Sequence, residues 1–143
     1  MTPDAPKPSI LVVDDDISLC GWIQRVLLKH GYASVAVASA SQGLSVFQAE
    51  GGIRLAIVDM VLRGTAGLDL AAELGRQQPG LRILYISEYV ESIAMEAIAK
   101  NSPELVLLKP FTEASLIARV RRFMAKPPAA QLAKVDRIVP KST

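Results

Sequence analysis

Short apolar runs alternate along this chain with stretches in which apolar residues recur every three or four positions. The runs are Ile10 to Val13, Val35 to Ala38, Leu55 to Val58, Ile83 to Ile86 and Leu105 to Leu108. Their brevity, β-branched content and flanking turn residues predict strands. Leu19, Ile23, Val26 and Leu27 keep helical spacing up to Lys29-His30-Gly31, where a basic last turn and a glycine predict a helix end. Leu44 and Phe47 give a second helix, which Ser39 or Ser41 can cap, through Ala49. Leu68, Leu70, Ala71 and Leu74 give a third, ended by Pro79-Gly80, and a fourth runs from about Glu91 to Lys100. Leu116, Ile117, Val120, Phe123 and Met124 line the last, with Thr112 as its cap and Pro127-Pro128 beyond it. Five strand-helix units predict an α/β fold, with a doubly wound parallel sheet covered on both faces.

Composition refines this picture in three places. The chain has 143 residues, half of them apolar, with no run long enough to cross a bilayer, so one soluble domain is expected. Residues 1–8 read as a flexible N-terminus without the basic start or apolar core of a secretory signal, which predicts a cytoplasmic protein. The net charge of +2 divides unevenly: residues 1–125 hold 12 Lys/Arg against 13 Asp/Glu, whereas residues 126–143 hold 4 against 1. That basic, Pro- and Ala-containing tail has no aromatic residues to stack on bases, and it reads as a solvated extension rather than a nucleic-acid arm. With one cysteine and one histidine, a Cys/His metal site is excluded, and Cys20 reads as a core residue.

The chemistry lies in what ends the strands. The first run leads into Asp14, Asp15 and Asp16, the third into Asp59, the fourth into Ser87 and the fifth into Lys109. In an open parallel sheet these ends share the edge where ligands bind. Acids there repel one another unless a cation intervenes, and an oxygen-only site suits Mg²⁺, which keeps its waters and often shares coordination with a phosphate. The set describes a carboxylate nucleophile, Asp59, with a metal site and donors for a phosphoryl group. Any one of these residues alone has an ordinary reading as a loop or capping residue; their joint occurrence at successive strand ends carries the inference.

From about Ser9 to Ala125 the chain resembles the receiver domain of two-component response regulators. The matching pieces are Ile10 through Asp16, Ile57-Val58-Asp59, Gly67-Leu68, Ile86-Ser87 and Lys109-Pro110-Phe111-Thr112. The resemblance implies a flavodoxin-like fold with strand order 2-1-3-4-5 and a receiver over residues 9–125. It implies that Asp59 accepts a phosphoryl group from a phosphohistidine on a sensor histidine kinase or phosphotransfer protein. Asp15, Asp59 and the backbone carbonyl of Val61 would bind Mg²⁺ directly, and Asp14 mostly through metal-bound water. Ser87 and Lys109 would hold the phosphoryl oxygens. Their movement would couple phosphorylation to the surface of the fourth helix, fifth strand and fifth helix, which an unknown downstream protein or a second copy in a homodimer would read. The Lys109-Pro110 bond is commonly cis in such domains.

Three positions depart from the family pattern. Val106 stands where an aromatic switch residue is usual, Glu88 where a small residue usually follows the Ser/Thr, and Arg63 where proline is frequent. Val61 and Tyr89 flank the expected path of the hydrolytic water, and neither is a base, which predicts a slowly decaying phosphoryl group. Val61 also argues against an Asp-nucleophile phosphohydrolase, because such enzymes usually carry a second Asp there. A short tail leaves no room for a helix-turn-helix module, so no effector domain and no DNA binding are expected of this chain. The alternative reading is a degenerate receiver, not phosphorylated and used as a protein-interaction or dimerisation module.

Overall fold

A computed structural model describes residues 7–62, 65–88 and 93–125. Arg63, Tyr89, the start of the predicted fourth helix and the 126–143 tail lie outside these residues. The parallel strands are β1 (Ile10–Val13), β2 (Ser34–Val37), β3 (Leu55–Asp59), β6 (Arg82–Ser87) and β7 (Val106–Leu108). A two-stranded antiparallel pair, β4 (Val61–Leu62) and β5 (Thr65–Ala66), interrupts the series after β3. The helices are α1 (Ile17–Lys29), α2 (Ala40–Glu50), α3 (Gly67–Gln77), α4 (Ile93–Asn101) and α5 (Glu113–Ala125).

The sheet runs β2-β1-β3-β6-β7, which is 2-1-3-4-5 when the parallel strands alone are counted. This is the flavodoxin-like order that the family resemblance implies. Chain progression reverses between β1 and β3, which lie side by side with Val13 opposite Val58. Crossovers leave in opposite directions from that reversal, and a crevice opens at the carboxyl ends of the two strands. Every residue of β1, β3 and β6 is buried, as strands covered on both sides require. Edge strand β2 is only half-buried.

The observed boundaries differ from expectation by single residues. The second strand is Ser34–Val37 rather than 35–38. Leu105 belongs to a 3₁₀ turn, Pro103–Leu105, that leads into β7. Ser39 is the α2 cap, its side chain accepting from the Gln42 N–H, and Gly51 closes the helix at φ 72°.

Helix α1 is clasped to α5 by a polar cluster at its carboxyl end. The His30 ring lies 2.9 Å from Glu113 and 3.3 Å from Arg121, and Lys29 reaches the same Glu113 oxygen at 2.9 Å. A guanidinium can only donate, so Nδ1 of His30 accepts from Arg121 and Nε2 carries the proton toward Glu113. The bonds from His30 and then Lys29 hold the Glu113 carboxyl below its usual range. The three arginines of α5 divide. Arg121 serves this clasp, and Arg122 is exposed. Arg119 turns inward, its Nη1 donating to the carbonyls of Pro103, Glu104 and Val106 at 3.2, 3.1 and 2.7 Å.

Candidate functional site

The Asp14-Asp15-Asp16 run separates into three roles. Asp14 is fully buried, and its Oδ1 accepts from the Asp16 N–H at 2.8 Å. Asp15 is exposed at the mouth of the crevice. Asp16 is the N-cap of α1, its side chain accepting from the Leu19 N–H at 3.1 Å. The third acid thus caps the helix at the edge of the crevice, while Asp14 and Asp15 lie beside Asp59. Below them Cys20 donates from Sγ to the Asp14 carbonyl at 3.2 Å, and burial pushes its thiol up to about 11. It is a core residue with no nucleophilic character.

Asp59 ends β3 beside Asp14. The Val61 N–H donates to its Oδ1 at 2.9 Å, and Lys109 Nζ donates to its Oδ2 at 3.0 Å. Lys109 Nζ also lies 2.9 Å from Asp14 Oδ2, without hydrogen-bond alignment, so that buried oxygen has an ion pair but no hydrogen bond. Burial alone would lower the lysine pKa; its close contacts with the Asp14 and Asp59 carboxylates outweigh that and hold it above the ordinary value. Burial raises the Asp14 carboxyl, more than Lys109 and the Asp16 amide lower it, and nearby Asp59 adds to the rise.

The backbone holds these groups in place. The Met60 N–H donates to the Ile86 carbonyl at 2.9 Å, and the Lys109 N–H to the Ser87 carbonyl at 2.8 Å, which ties the loops of Asp59, Ser87 and Lys109 together. The Lys109-Pro110 bond is cis. The antiparallel β4-β5 pair brings the chain back until the Gly67 N–H donates to the Met60 carbonyl at 2.8 Å. A Cβ at Gly67 would overlap the Asp59 carbonyl and come within 2.9 Å of the Met60 Cα, so this position requires glycine.

Ser87 is buried and lines the same crevice of about 180 Å³ as Asp15, Asp16, Asp59, Val61, Glu88 and Lys109. The structure therefore brings together Asp14, Asp15, Asp59, Val61, Ser87 and Lys109, which the sequence placed at four strand ends. Carboxylate oxygens of Asp14, Asp15 and Asp59 lie within 4.8 Å of one another. Three oxygen donors so close, one of them buried without a hydrogen bond, fit a hard divalent cation such as Mg²⁺. Two neighbours of the site were not foreseen from sequence. Trp22 packs on Phe111 with ring centroids 5.8 Å apart, and Arg119 holds the β7 carbonyls. The apolar periodicity of α1 and α5 gave the helices but not these contacts.

An acidic crevice at the switch point of a five-stranded parallel sheet, with a lysine bridging two carboxylates, is the arrangement of a receiver-type domain. The family profile of the response regulator receiver domain matches residues 10–121, and the chain belongs to that family, which acts in two-component signalling. Among curated relatives it is 30% identical over 118 residues to the DNA-binding response regulator MtrA of Mycolicibacterium smegmatis, covering 82% of this chain and 51% of that one. The chain thus spans about half the length of the curated relatives it matches. A CheY-like receiver domain protein from Methanospirillum hungatei superposes with a TM-score of 0.71 at 21% identity, over 92% of this chain and 98% of that one. A response regulator receiver protein from Sinorhizobium medicae gives a TM-score of 0.70 at 26% identity, covering 82% and 94%. No helix among the described residues is long and apolar enough to cross a membrane.

Proposed function

We propose that Asp59 is the phosphoryl acceptor of a phosphorelay switch, charged in a Mg²⁺-dependent reaction by the phosphohistidine of a sensor histidine kinase or phosphotransfer protein. The observation that carries this reading is the double hold on the Asp59 carboxylate. The Val61 amide fixes one oxygen and Lys109 the other, beside two further acids within 4.8 Å. An Asp59 oxygen attacks phosphorus while the donor's P–N bond breaks toward the imidazole, leaving an acyl phosphate on the protein. Asp15, Asp59 and the Val61 carbonyl would hold the metal, with Asp14 acting mostly through its water. When bound, that cation supplies the positive charge that lets a dianionic phosphoryl group enter an acidic crevice. Lys109 and Ser87 hold the equatorial oxygens.

The domain is a switch and not a turnover enzyme: its only chemistry is its own phosphorylation and slow dephosphorylation. Val61 supplies no base for an in-line water and, at 42% exposed, covers the mouth of the site, which supports a long-lived phosphoryl group. The receiver occupies residues 9–125 of a cytoplasmic protein, and its output is a protein contact on the α4, β7 and α5 face. DNA binding, named for MtrA, is not carried over to these residues.

Intact-mass analysis after incubation with Mg²⁺ and acetyl phosphate, beside Asp59→Asn, tests the reading. One phosphoryl group added in the presence of Mg²⁺ and absent from the variant is expected. No addition from either acetyl phosphate or a phosphorylated kinase domain would favour the interaction module over the switch.

A further inference from the structure

Glu88 follows buried Ser87 directly and is itself exposed. It lines the acidic crevice around Asp59 on one side and, on the other, a groove of about 620 Å³ over Leu19, Trp22 and Phe111. Crevice and groove share Asp16, Glu88 and Lys109, so these three side chains form the sill between them. The Asp16 carboxylate is held by its cap bond, and the Lys109 ammonium is engaged by Asp14 and Asp59. Glu88 is the charge on the sill that no hydrogen bond or ion pair of the described residues compensates.

We propose that Glu88 is a specificity determinant that makes Asp59 select phosphodonors by charge, favouring one with a positive charge beside the transferred phosphoryl group over a free polyanion. This rests on Asp59 being the acceptor. Along the crevice wall four carboxylates face one ammonium among the described residues, so a dianion arriving from the groove is repelled before it reaches the lysine. A protonated N-phosphoryl group, or a phosphohistidine flanked by Lys or Arg on its carrier, is attracted by the same charge. A carboxylate in place of a small side chain thus works mainly by exclusion, raising the barrier for the wrong donor more than lowering it for the right one. Because Glu88 is exposed, its charge acts through water and the selection weakens with salt.

The test compares acetyl phosphate, a dianion, with phosphoramidate, whose nitrogen is protonated at neutral pH. In either transfer an Asp59 oxygen forms the new P–O bond as the donor's P–O or P–N bond breaks, the electron pair leaving on acetate or on ammonia. Rates are read by intact mass for the native chain, Glu88→Gln and Glu88→Lys, with Mg²⁺ at low and at high ionic strength. Neutralising Glu88 should speed acetyl phosphate relative to phosphoramidate by about 3- to 5-fold at low salt, Glu88→Lys further, with both effects reduced at high salt. The ratio of the two donors cancels any general loss of folding or metal binding. If the native chain is phosphorylated and the ratio stays the same in all three proteins, the selectivity is overturned and the acceptor reading stands. If neither donor modifies Asp59, the selectivity is overturned, and the acceptor reading falls with it only if a phosphorylated kinase domain also fails to modify Asp59.

Discussion

Replacing Lys109 with Met keeps the length of the side chain and removes the ammonium that lies within 3.0 Å of both Asp14 and Asp59. At that separation and an effective dielectric near 20, each contact carries about 5 kcal/mol of Coulomb energy, much of it offset by desolvation of the three charges. Removing one partner deletes the attraction and leaves the desolvation, and buried pairs broken this way typically lose about 3–5 kcal/mol. The Lys109 side chain is 13% exposed, so relaxation and water entry place the loss near the lower end. With a urea slope near 1.5 kcal/mol/M, the midpoint should fall by about 2 M in metal-free buffer at neutral pH, read by Trp22 fluorescence. The pH dependence has a definite sign. Burial already sets the Asp14 carboxyl above its ordinary value, and loss of the ammonium raises it further. A carboxyl with a raised folded pKa costs stability once pH exceeds its unfolded value and restores it as pH falls through the folded one, so the variant's deficit narrows on mild acidification. In the native chain the Lys109 contribution persists through the neutral range and is lost only as pH climbs through its raised folded value. A midpoint shift below about 0.5 M, or a deficit that grows on acidification, would refute the argument.

Two further substitutions separate the backbone of the site from its charges. Gly67→Ala should cost at least about 2 kcal/mol in thermal or urea unfolding, because the new methyl meets backbone of Asp59 and Met60 and not a movable side chain. Gly75→Ala in α3, with open space around it, should instead gain about 0.5–1 kcal/mol; equal behaviour of the two would contradict the steric reading. Arg119→Met should remove donors from three carbonyls at a cost of about 1–3 kcal/mol and raise hydrogen exchange across residues 103–108, while exchange in β1 and β3 stays unchanged.

The fold was legible because its signals are local and agree with one another. Four-residue apolar runs ending in polar or charged residues, helical spacing between them, and Ser39 and Gly51 at the ends of α2 all point to strand-helix units. The site was legible for the same reason, since Asp14, Asp15, Asp59, Ser87 and Lys109 each stand where a run stops. What stayed hidden depends on partners far apart in sequence. Nothing near Arg119 says that its guanidinium turns inward to the Pro103, Glu104 and Val106 carbonyls. Nothing near His30 names Glu113, 83 residues away. The β4-β5 pair escaped because two-residue strands carry no periodicity, although Gly67 marked where the backbone closes on Asp59. Asp16 is the instructive middle case: capping and catalysis ask for the same residue type at the start of a helix, and only the Leu19 N–H contact separates them.

The conflict between stability and charge locates the function more sharply than any single contact. Val13 and Val58 are fully buried partners on adjacent strands, and a chain selected only for packing would continue both runs with apolar residues. Instead the next positions are Asp14, fully buried, and Asp59, nearly so, and Lys109 is drawn in from β7 to compensate them. The compensation is incomplete, since Asp14 Oδ2 keeps no hydrogen bond and its carboxyl titrates above the ordinary range. A hydrophobic replacement for such an ion cluster is often as stable or more so, so folding alone does not account for it. Local rules broken at one edge of an otherwise consistent fold mark a site kept for binding. Here the shortfall is one of positive charge among oxygen donors, which a bound divalent cation would correct.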